Sequence, residues 1–474
     1  MSSRHPASLR DPAGYLVKCG DRLLRVIRPE YKTEYADLLS ASWIKEECQN
    51  QNVASYHILG TPEALELIGP EAENCLCIEH NVISFPSFPT EWPLEMLCAA
   101  SELTLSLCQK ALHHGAGLKD ATPFNVLFNG SSPVFIDVLS FEKRSIGDPT
   151  WLAYGQFIRC FLLPVALDSH HTTPAHRVFL SHRDGIEPEE AYRLLSLFAR
   201  FSSPFFSKVT MPVLLASKAE RQSSKVYAAT RLSNPDQATF ILHALFTRLL
   251  RTMQAAARRK HSRSVWSTYH ETCTYSETDF SYKTVFIEQF LQSSKPERVL
   301  DMGCNTGHFS FLAARYGAEV VATDLDAEVV GKLWQRAVAE KANILPLVIN
   351  LARPTPALGW RNRETPSFLE RAEGYFDAIF MLAVIHHVLV SDMIPLDEII
   401  QQAAKLTTKW MVIEYVGPDD AQFKRLLRGR EALYTCLNRN VFEYEVAKHF
   451  EIIRHEEIAD TGRWLYLAKR KDAH

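Results

Sequence analysis

The sequence predicts a parallel-sheet α/β fold for its C-terminal part and a separate α+β domain before it. Three observations carry this. Residues 298–326 read as strand, glycine loop, helix, strand. From there to the end, β-branched apolar runs alternate with stretches of helical period. Before about residue 257 the strands come as pairs and the long helices follow them, which is the rhythm of a different class. A chain of 474 residues also exceeds one ordinary core. The expected division is therefore 1–257 and 262–474.

The 298–326 stretch is the most specific. Val299 and Leu300 begin an apolar strand that stops at Asp301, and the loop Asp301-Met302-Gly303-Cys304-Asn305-Thr306-Gly307 follows at once. Phe309, Leu312, Ala313 and Tyr316 then recur at helical spacing, and Gly317 is a C-terminal stop. Residues 319–323 form a second strand that ends in Asp324. Gly303 and Gly307 permit a sharp turn and close approach of backbone to a ligand. Asn305 stands where a middle glycine is common, and Asn tolerates a left-handed backbone. Asp324 follows Asp301 by 23 residues, a spacing that suits a carboxylate on ribose hydroxyls. A dinucleotide loop would be G-x-G-x-x-G. The pattern here is D-x-G-x-N-x-G, and its leading acid disfavours a phosphate and suits an ammonium group.

These residues resemble motif I and the following acidic strand end of class I S-adenosylmethionine-dependent methyltransferases. The resemblance implies a Rossmann-like, seven-stranded sheet with one antiparallel strand. It implies that Asp301, Gly303 and Gly307 cradle the methionine part, that Cys304 and Asn305 of the same loop also bind the cofactor, that Asp324 binds the ribose, and that S-adenosyl-L-methionine is the cofactor. A nucleotide-binding Rossmann unit of another chemistry, or a bare structural turn, is the competing reading.

Composition bounds the rest. Hydrophobic content of 46% and charged content of 23% are those of a globular protein. A net charge of −3 supplies no global pull toward nucleic acid or anionic membrane. The first residues lack the apolar core of a signal peptide, and no run reaches the length of a membrane span. Ten scattered cysteines, with Cys75 and Cys77 the one close pair, read as reduced thiols of a cytoplasmic protein without a metal framework.

In the N-terminal part, residues 15–27 read as a hairpin around Gly20-Asp21. Residues 35–49 read as a helix, 75–83 as strand and 94–113 as a helix. Asp120, then Asn125, then an apolar strand ending at Asp137 resemble the catalytic loop and metal-binding Asp of protein-kinase-like phosphotransferases. That resemblance implies an Asp that orients a nucleophile and an Asn and Asp that hold magnesium. The departures are plain: no glycine-rich phosphate loop, Arg25 near the usual lysine, and Val-Leu-Ser after Asp137. The expectation is a kinase-like domain that does not phosphorylate, with turn-capping roles for Asp120 and Asn125 equally open. Residues 151–167 read as a buried helix despite Arg159 and Pro164, and 187–201 and 237–257 as further helices. Residues 202–236 read as loop-rich. The basic run 258–263 marks the junction.

The C-terminal part continues in alternation. Trp266, Tyr269, Tyr275, Phe280 and Tyr282, with Lys283 among them, resemble an aromatic lid, or else a helix packed on the sheet edge. Residues 327–341 read as a helix and 344–349 as a strand ending at Asn350. The family resemblance puts Asn350 beside the adenine; a turn role is the alternative. The loop around Pro354, Trp360 and Arg361–Arg363 is expected to line the acceptor pocket. Residues 376–385 form a strand whose exit carries His386 and His387. One of them is the expected general base, since imidazole has the pKa range to accept a hydroxyl proton. Residues 410–415 place Glu414 and Tyr415 at a strand end, where either could contact the acceptor or equally make a structural hydrogen bond. Residues 450–454 and 463–469 read as closing strands.

The whole arrangement resembles two-part bacterial nodulation-type methyltransferases, through the 118–121 segment and the 301–307 loop. The implied reaction is methyl transfer to a small-molecule or saccharide acceptor at oxygen. The alternatives are a bifunctional kinase–methyltransferase and a non-catalytic scaffold that keeps the cofactor fold.

Overall fold

The computed structural model describes residues 2–219, 231–258 and 277–472. The chain divides into two compact units. The first comprises residues 1–261 with 357–365, and the second 262–356 with 366–474. Trp266, Tyr269 and Tyr275 lie outside the described residues, as does most of the basic run 258–263.

The first unit is built on an antiparallel sheet of β1 (Ser2–Arg4), β2 (Gly14–Cys19), β3 (Arg22–Ile27), β4 (Tyr56–Ile58) and β5 (Leu76–His80), in the order β1-β2-β3-β5-β4. The two-residue Gly20-Asp21 connection makes the β2–β3 hairpin, with Gly20 at φ 62°. One face buries Val17, Leu24, Val26 and Cys77 against the helix Thr61–Ile68. Below the sheet come the helix Leu94–His113 and three-residue β6 (Ala116–Leu118). Then follow the hairpin β7 (Val126–Asn129) and β8 (Ser132–Phe135), and β9 (Phe141–Lys143) paired with β6. The helix Pro235–Ala256 packs along Leu94–His113, and Phe246 meets Trp151 edge-on at 5.0 Å.

Two sequence expectations change in this unit, and the buried helix near 160 gains a detail. The expected helix at 35–49 is two helices, Lys32–Ser40 and Ser42–Gln49, because Ala41 is extended (φ −64°, ψ 137°). The apolar run near 160 is helical through Pro164, with a wide π-turn at Ile158–Leu162 immediately before it. A widened turn makes room for a ring that lacks an N–H and would strike the preceding carbonyl. The loop-rich 202–236 contains the helix Met211–Ala219.

The second unit is a seven-stranded sheet with helices on both faces. Its strands are β10 (Arg298–Met302), β11 (Glu319–Asp324), β12 (Ile344–Val348), β13 (Phe376–Met381), β14 (Thr407–Tyr415), β15 (Phe450–Glu457) and β16 (Trp464–Arg470). The order is β12-β11-β10-β13-β14-β16-β15. β10 to β14 pair in parallel, and β16 is antiparallel to both its neighbours. β10 and β13 are covered on both faces, which is why they read as unbroken apolar runs. The chain runs outward from β10 to β12 on one side and restarts at β13 on the other. The carboxyl ends of β10 and β13 therefore flank a crevice, the position where open α/β sheets bind ligands.

Part of the loop expected at the acceptor pocket, residues 357–365, groups with the first unit. A bridge between Leu358 and Thr365 closes the neck of this loop, and buried Glu364 is held by Arg10 (2.8 Å) and Arg183 (3.1 Å). A carboxylate this buried needs its cations, and they come from the N-terminal sequence.

Phe380, fully buried in β13 at the centre of the second core, gives a test of this architecture. Phe380→Ala is expected to destabilise the protein by about 3–5 kcal/mol. Urea unfolding should show a lower midpoint for the second unit without a change of slope.

Candidate functional site

A cavity of about 550 Å³ opens over the carboxyl ends of β10, β11, β12 and β13. One wall is the 301–307 loop. The N–H groups of Gly303 and Cys304 donate to the Thr323 carbonyl at 2.8 and 3.0 Å, so the loop hangs from the neighbouring strand. The Asn305 N–H donates to Asp324 Oδ2 at 3.0 Å, with Asn305 in the left-handed region at φ 49°. Asp324 Oδ1 accepts from the Asp326 N–H at 3.0 Å. Each oxygen of Asp324 keeps a lone pair for a ligand hydroxyl.

Besides the turn that the sequence indicated, the two glycines are required by neighbours that the sequence did not show. A Cβ on Gly303 (φ 74°) would lie 2.0 Å from Val384 Cγ2, and one on Gly307 (φ 79°) 2.3 Å from Leu333 Cδ1. Close approach of protein to protein, with a positive φ, demands glycine at both positions.

Burial dominates the electrostatics of this wall. The Asp301 carboxyl is 2% exposed and is pushed up to about 6 by loss of solvent, although the Ser310 hydroxyl donates to it at 2.5 Å. Burial also raises Asp324. Burial raises the Cys304 thiol, and Asp324 reinforces the shift, so Cys304 stays protonated. Two carboxylates short of solvation and facing one cavity favour a cationic ligand. Asn350 lines the cavity beside Ile349 and Leu351, but its Oδ1 accepts from the N–H groups of Ala352 (2.9 Å) and Arg353 (3.1 Å). Its side-chain carbonyl thus shapes the turn.

The opposite wall comes from the β13 exit. Ala383 takes φ 54°, a strained value for a residue with a Cβ, and the helix Ile385–Val390 starts two residues later. This turn separates the two histidines. His387 lines the cavity and is half-buried. Burial lowers its pKa from the usual histidine value, with Arg463 adding to the shift, so the ring is neutral at pH 7. His386 does not line the cavity. It is fully buried, its ring centroid 4.2 Å from that of His387, and neither of its nitrogens has a hydrogen-bond partner among the described residues. Burial drives its pKa well below the ordinary range.

Glu414 also sits behind the wall rather than on it. It is fully buried, and Lys283 Nζ donates to its Oε2 at 2.6 Å, with Arg463 at 3.5 Å from its Oε1. Arg463 in turn grips Asp420 through Nε (2.7 Å) and Nη2 (3.0 Å). Lys283 is the member of this network that reaches the cavity, beside Phe280, His308 and Phe309. Tyr282 is 54% exposed and is absent from the lining. Tyr415 packs on Phe442. Sequence reading missed Arg463, Asp420 and His308. Their one signal was charge or imidazole at strand and helix ends, which is also what a solvated surface presents.

In the first unit, Asp120, Asn125 and Asp137 do converge, with Asp11 as an unforeseen member. Asn125 Nδ2 donates to Ser140 Oγ (3.0 Å), whose hydroxyl donates to Asp137 Oδ2 (2.6 Å). Arg25, nearly buried, lies 3.1 Å from both Asp11 Oδ2 and Asp137 Oδ1. Burial, then the charge of Asp137, raises the Asp120 carboxyl. Among the described residues, no helix is long and apolar enough to cross a membrane, and the cysteines are free thiols.

Residues 275–468 match a family model described as a methyltransferase domain. Over 470 residues the chain is 28% identical to the nodulation protein NoeA of Rhizobium meliloti (strain 1021), covering 99% of this chain and 96% of that one. Among solved structures it is similar to the N-methyltransferase NodS from Bradyrhizobium japonicum WM9, at 15% identity and a TM-score of 0.32, over 42% of this chain and 99% of that chain. It is also similar to the PH0226 protein from Pyrococcus horikoshii OT3, at 15% identity and a TM-score of 0.31, over 43% of this chain and 99% of that chain.

The buried network makes a stability prediction. Lys283→Met is expected to cost about 3 kcal/mol by leaving Glu414 under-compensated. Lys283→Met with Glu414→Leu should regain much of this, as read by thermal or urea unfolding. Equal loss in the single and double variants would show that the pair is not coupled.

Proposed function

We propose that this protein, whose C-terminal part is a class I S-adenosylmethionine-dependent methyltransferase domain, methylates a small-molecule or saccharide acceptor at oxygen, with His387 as general base. The observation that carries the reading is the division of the two histidines: His387 lines the cavity as a neutral imidazole, while His386 is sealed behind it. A neutral imidazole can take a hydroxyl proton as the methyl group arrives.

The residues fit the cofactor. A cavity of about 550 Å³ has the size of a small-ligand site. Asp324 offers lone pairs for two hydroxyls, and Asp301 offers negative charge beside the loop. Ile349, Leu351 and Asn350 offer an apolar shelf with an amide at its edge. The bound cofactor supplies an activated methyl group on a cationic sulfur. The chain's own part is to align the acceptor, exclude water and accept a proton. Phe280 and Phe309 line the cavity with apolar surface that keeps solvent out. Lys283, anchored on Glu414, presents a positive charge that steadies an acceptor oxygen as its proton leaves. His386 and Glu414 support the wall; His386 is the alternative base only if the β13 exit rearranges.

The first unit is read as the acceptor-recognition part, kinase-like in its cluster of Asp120, Asn125 and Asp137 and without phosphotransfer. The observation favouring this over a bifunctional kinase–methyltransferase is Arg25. Its guanidinium already neutralises Asp11 and Asp137, the place where a divalent cation would have to sit.

His387→Gln is expected to lower kcat by about 10²–10⁴-fold with the cofactor Kd unchanged, while His386→Gln should act chiefly on stability. Methyl-transfer assays on candidate hydroxylated acceptors, with cofactor binding by calorimetry, separate the two. A full rate in His387→Gln would remove it as the base.

The pH dependence of cofactor binding follows from Asp301. Its folded pKa lies above the unfolded value, so ionising it costs stability at neutral pH, and that cost is relieved as pH falls through about 6. A cationic ligand needs the ionised form. Cofactor affinity should therefore weaken as pH falls below about 6. Asp301→Asn should bind poorly at every pH and melt no lower than the parent. Calorimetry across pH 5–8 reads both.

A further inference from the structure

The first unit contains a second cleft, of about 300 Å³, formed by the 4–15 segment, Arg28 and the 357–365 loop. Its charges do not balance. Arg4 is matched by Glu71 at 2.9 Å and lies over the Tyr15 ring. Asp11 is matched by Arg25, and Glu364 by both Arg10 and Arg183. Arg28, Arg361 and Arg363 line the same cleft, and their side chains have no hydrogen bond or ion pair among the described residues. Three exposed arginines without a counter-charge among the described residues line one small concavity, and an anion entering it would gain from their charge.

The loop that carries two of these arginines is held in shape. Arg361 and Asn362 have φ of 56° and 54°, and Gly359 has φ 86°. A Cβ at Gly359 would lie 2.6 Å from Glu364 Cβ, so the loop closes directly on the buried, doubly paired Glu364. Left-handed backbone at an arginine is a local cost that the buried carboxylate and the Leu358–Thr365 bridge sustain. Directly before Arg361 in the same loop comes Trp360, 62% exposed and lining the cleft. A large exposed aromatic residue and arginines lining one cleft are the equipment for a ring that carries a phosphate.

We propose that this cleft binds a sugar phosphate, with Arg28, Arg361 and Arg363 on the phosphate and Trp360 against the sugar ring. The site shares no lining residue with the methyl-transfer cavity and does not depend on the reading of that cavity. The shared chemistry with a nucleotide is a phosphate monoester on a ring, and the Trp360 face is met by a sugar's C–H surface or by a base.

The test is calorimetry on the full chain with glucose 1-phosphate, adenosine monophosphate, inorganic phosphate and glucose as probes. Glucose 1-phosphate should bind more tightly than inorganic phosphate and weaken with added salt, and glucose should give no heat. The double variant Arg28→Ala with Arg361→Asn, the latter chosen because Asn accepts a left-handed backbone, should lose at least about tenfold in affinity. Trp360→Phe should remove any fluorescence change on binding. S-adenosylmethionine binding and the melting temperature serve as folding controls and should not move. Absence of glucose 1-phosphate binding, tighter binding of adenosine monophosphate, or an affinity indifferent to the arginine substitutions would overturn the proposal.

Discussion

The mouth of the crevice in the second unit is set by one interaction: the Asn305 N–H donating to the Asp324 carboxylate. It joins the loop after β10 to the end of β11 and fixes both at the mouth of the same crevice. Around it the backbone leaves no freedom. Gly303 is pressed by Val384 and Gly307 by Leu333, so the loop is clamped by the β13 exit on one side and by the helix Ala327–Glu340 on the other. A ligand entering the crevice meets donors and acceptors that are already placed, and binding need not order them. The cost is held in advance by the protein as two carboxylates with raised pKa values.

A second constraint acts behind the opposite wall. Lys283, Glu414, Arg463 and Asp420 come from a helix before the sheet, from β14, from the residue before β16, and from the turn after β14. Each is costly to bury alone and is tolerable only with the others in place. Such a network disfavours any packing in which one member is displaced. It therefore fixes the register of the late strands relative to the helix that carries Phe280 and Lys283 into the cavity.

In the first unit, Arg25 has the corresponding role. Set in β3 between Asp11 and Asp137, it joins the sheet to the segment after β8, and Ser140 passes the constraint on to Asn125. The carboxylates meet because a cation of the chain itself holds them together. Glu364 repeats the device at a loop, drawing Arg10 and Arg183 onto residues 357–365.

The sequence by itself determined the sheet-and-helix alternation of the second unit, the glycine loop with its flanking acids, and the helices at 94–113 and 327–340. In each, local period, glycine and acid placement all favoured the same backbone. It also determined the β2–β3 hairpin, since Gly20-Asp21 fits few other turns. Tertiary structure decided the rest. Whether His386 or His387 meets the cavity turns on the left-handed step at Ala383, which no local preference of alanine announces. Whether Glu414 faces an acceptor or a lysine depends on a helix 131 residues earlier in the chain. The destination of the 357–365 loop was set by cations at Arg10 and Arg183. The physical reason is common to all three. A buried polar group takes its position from the partner that compensates it, and that partner is found through space rather than along the chain.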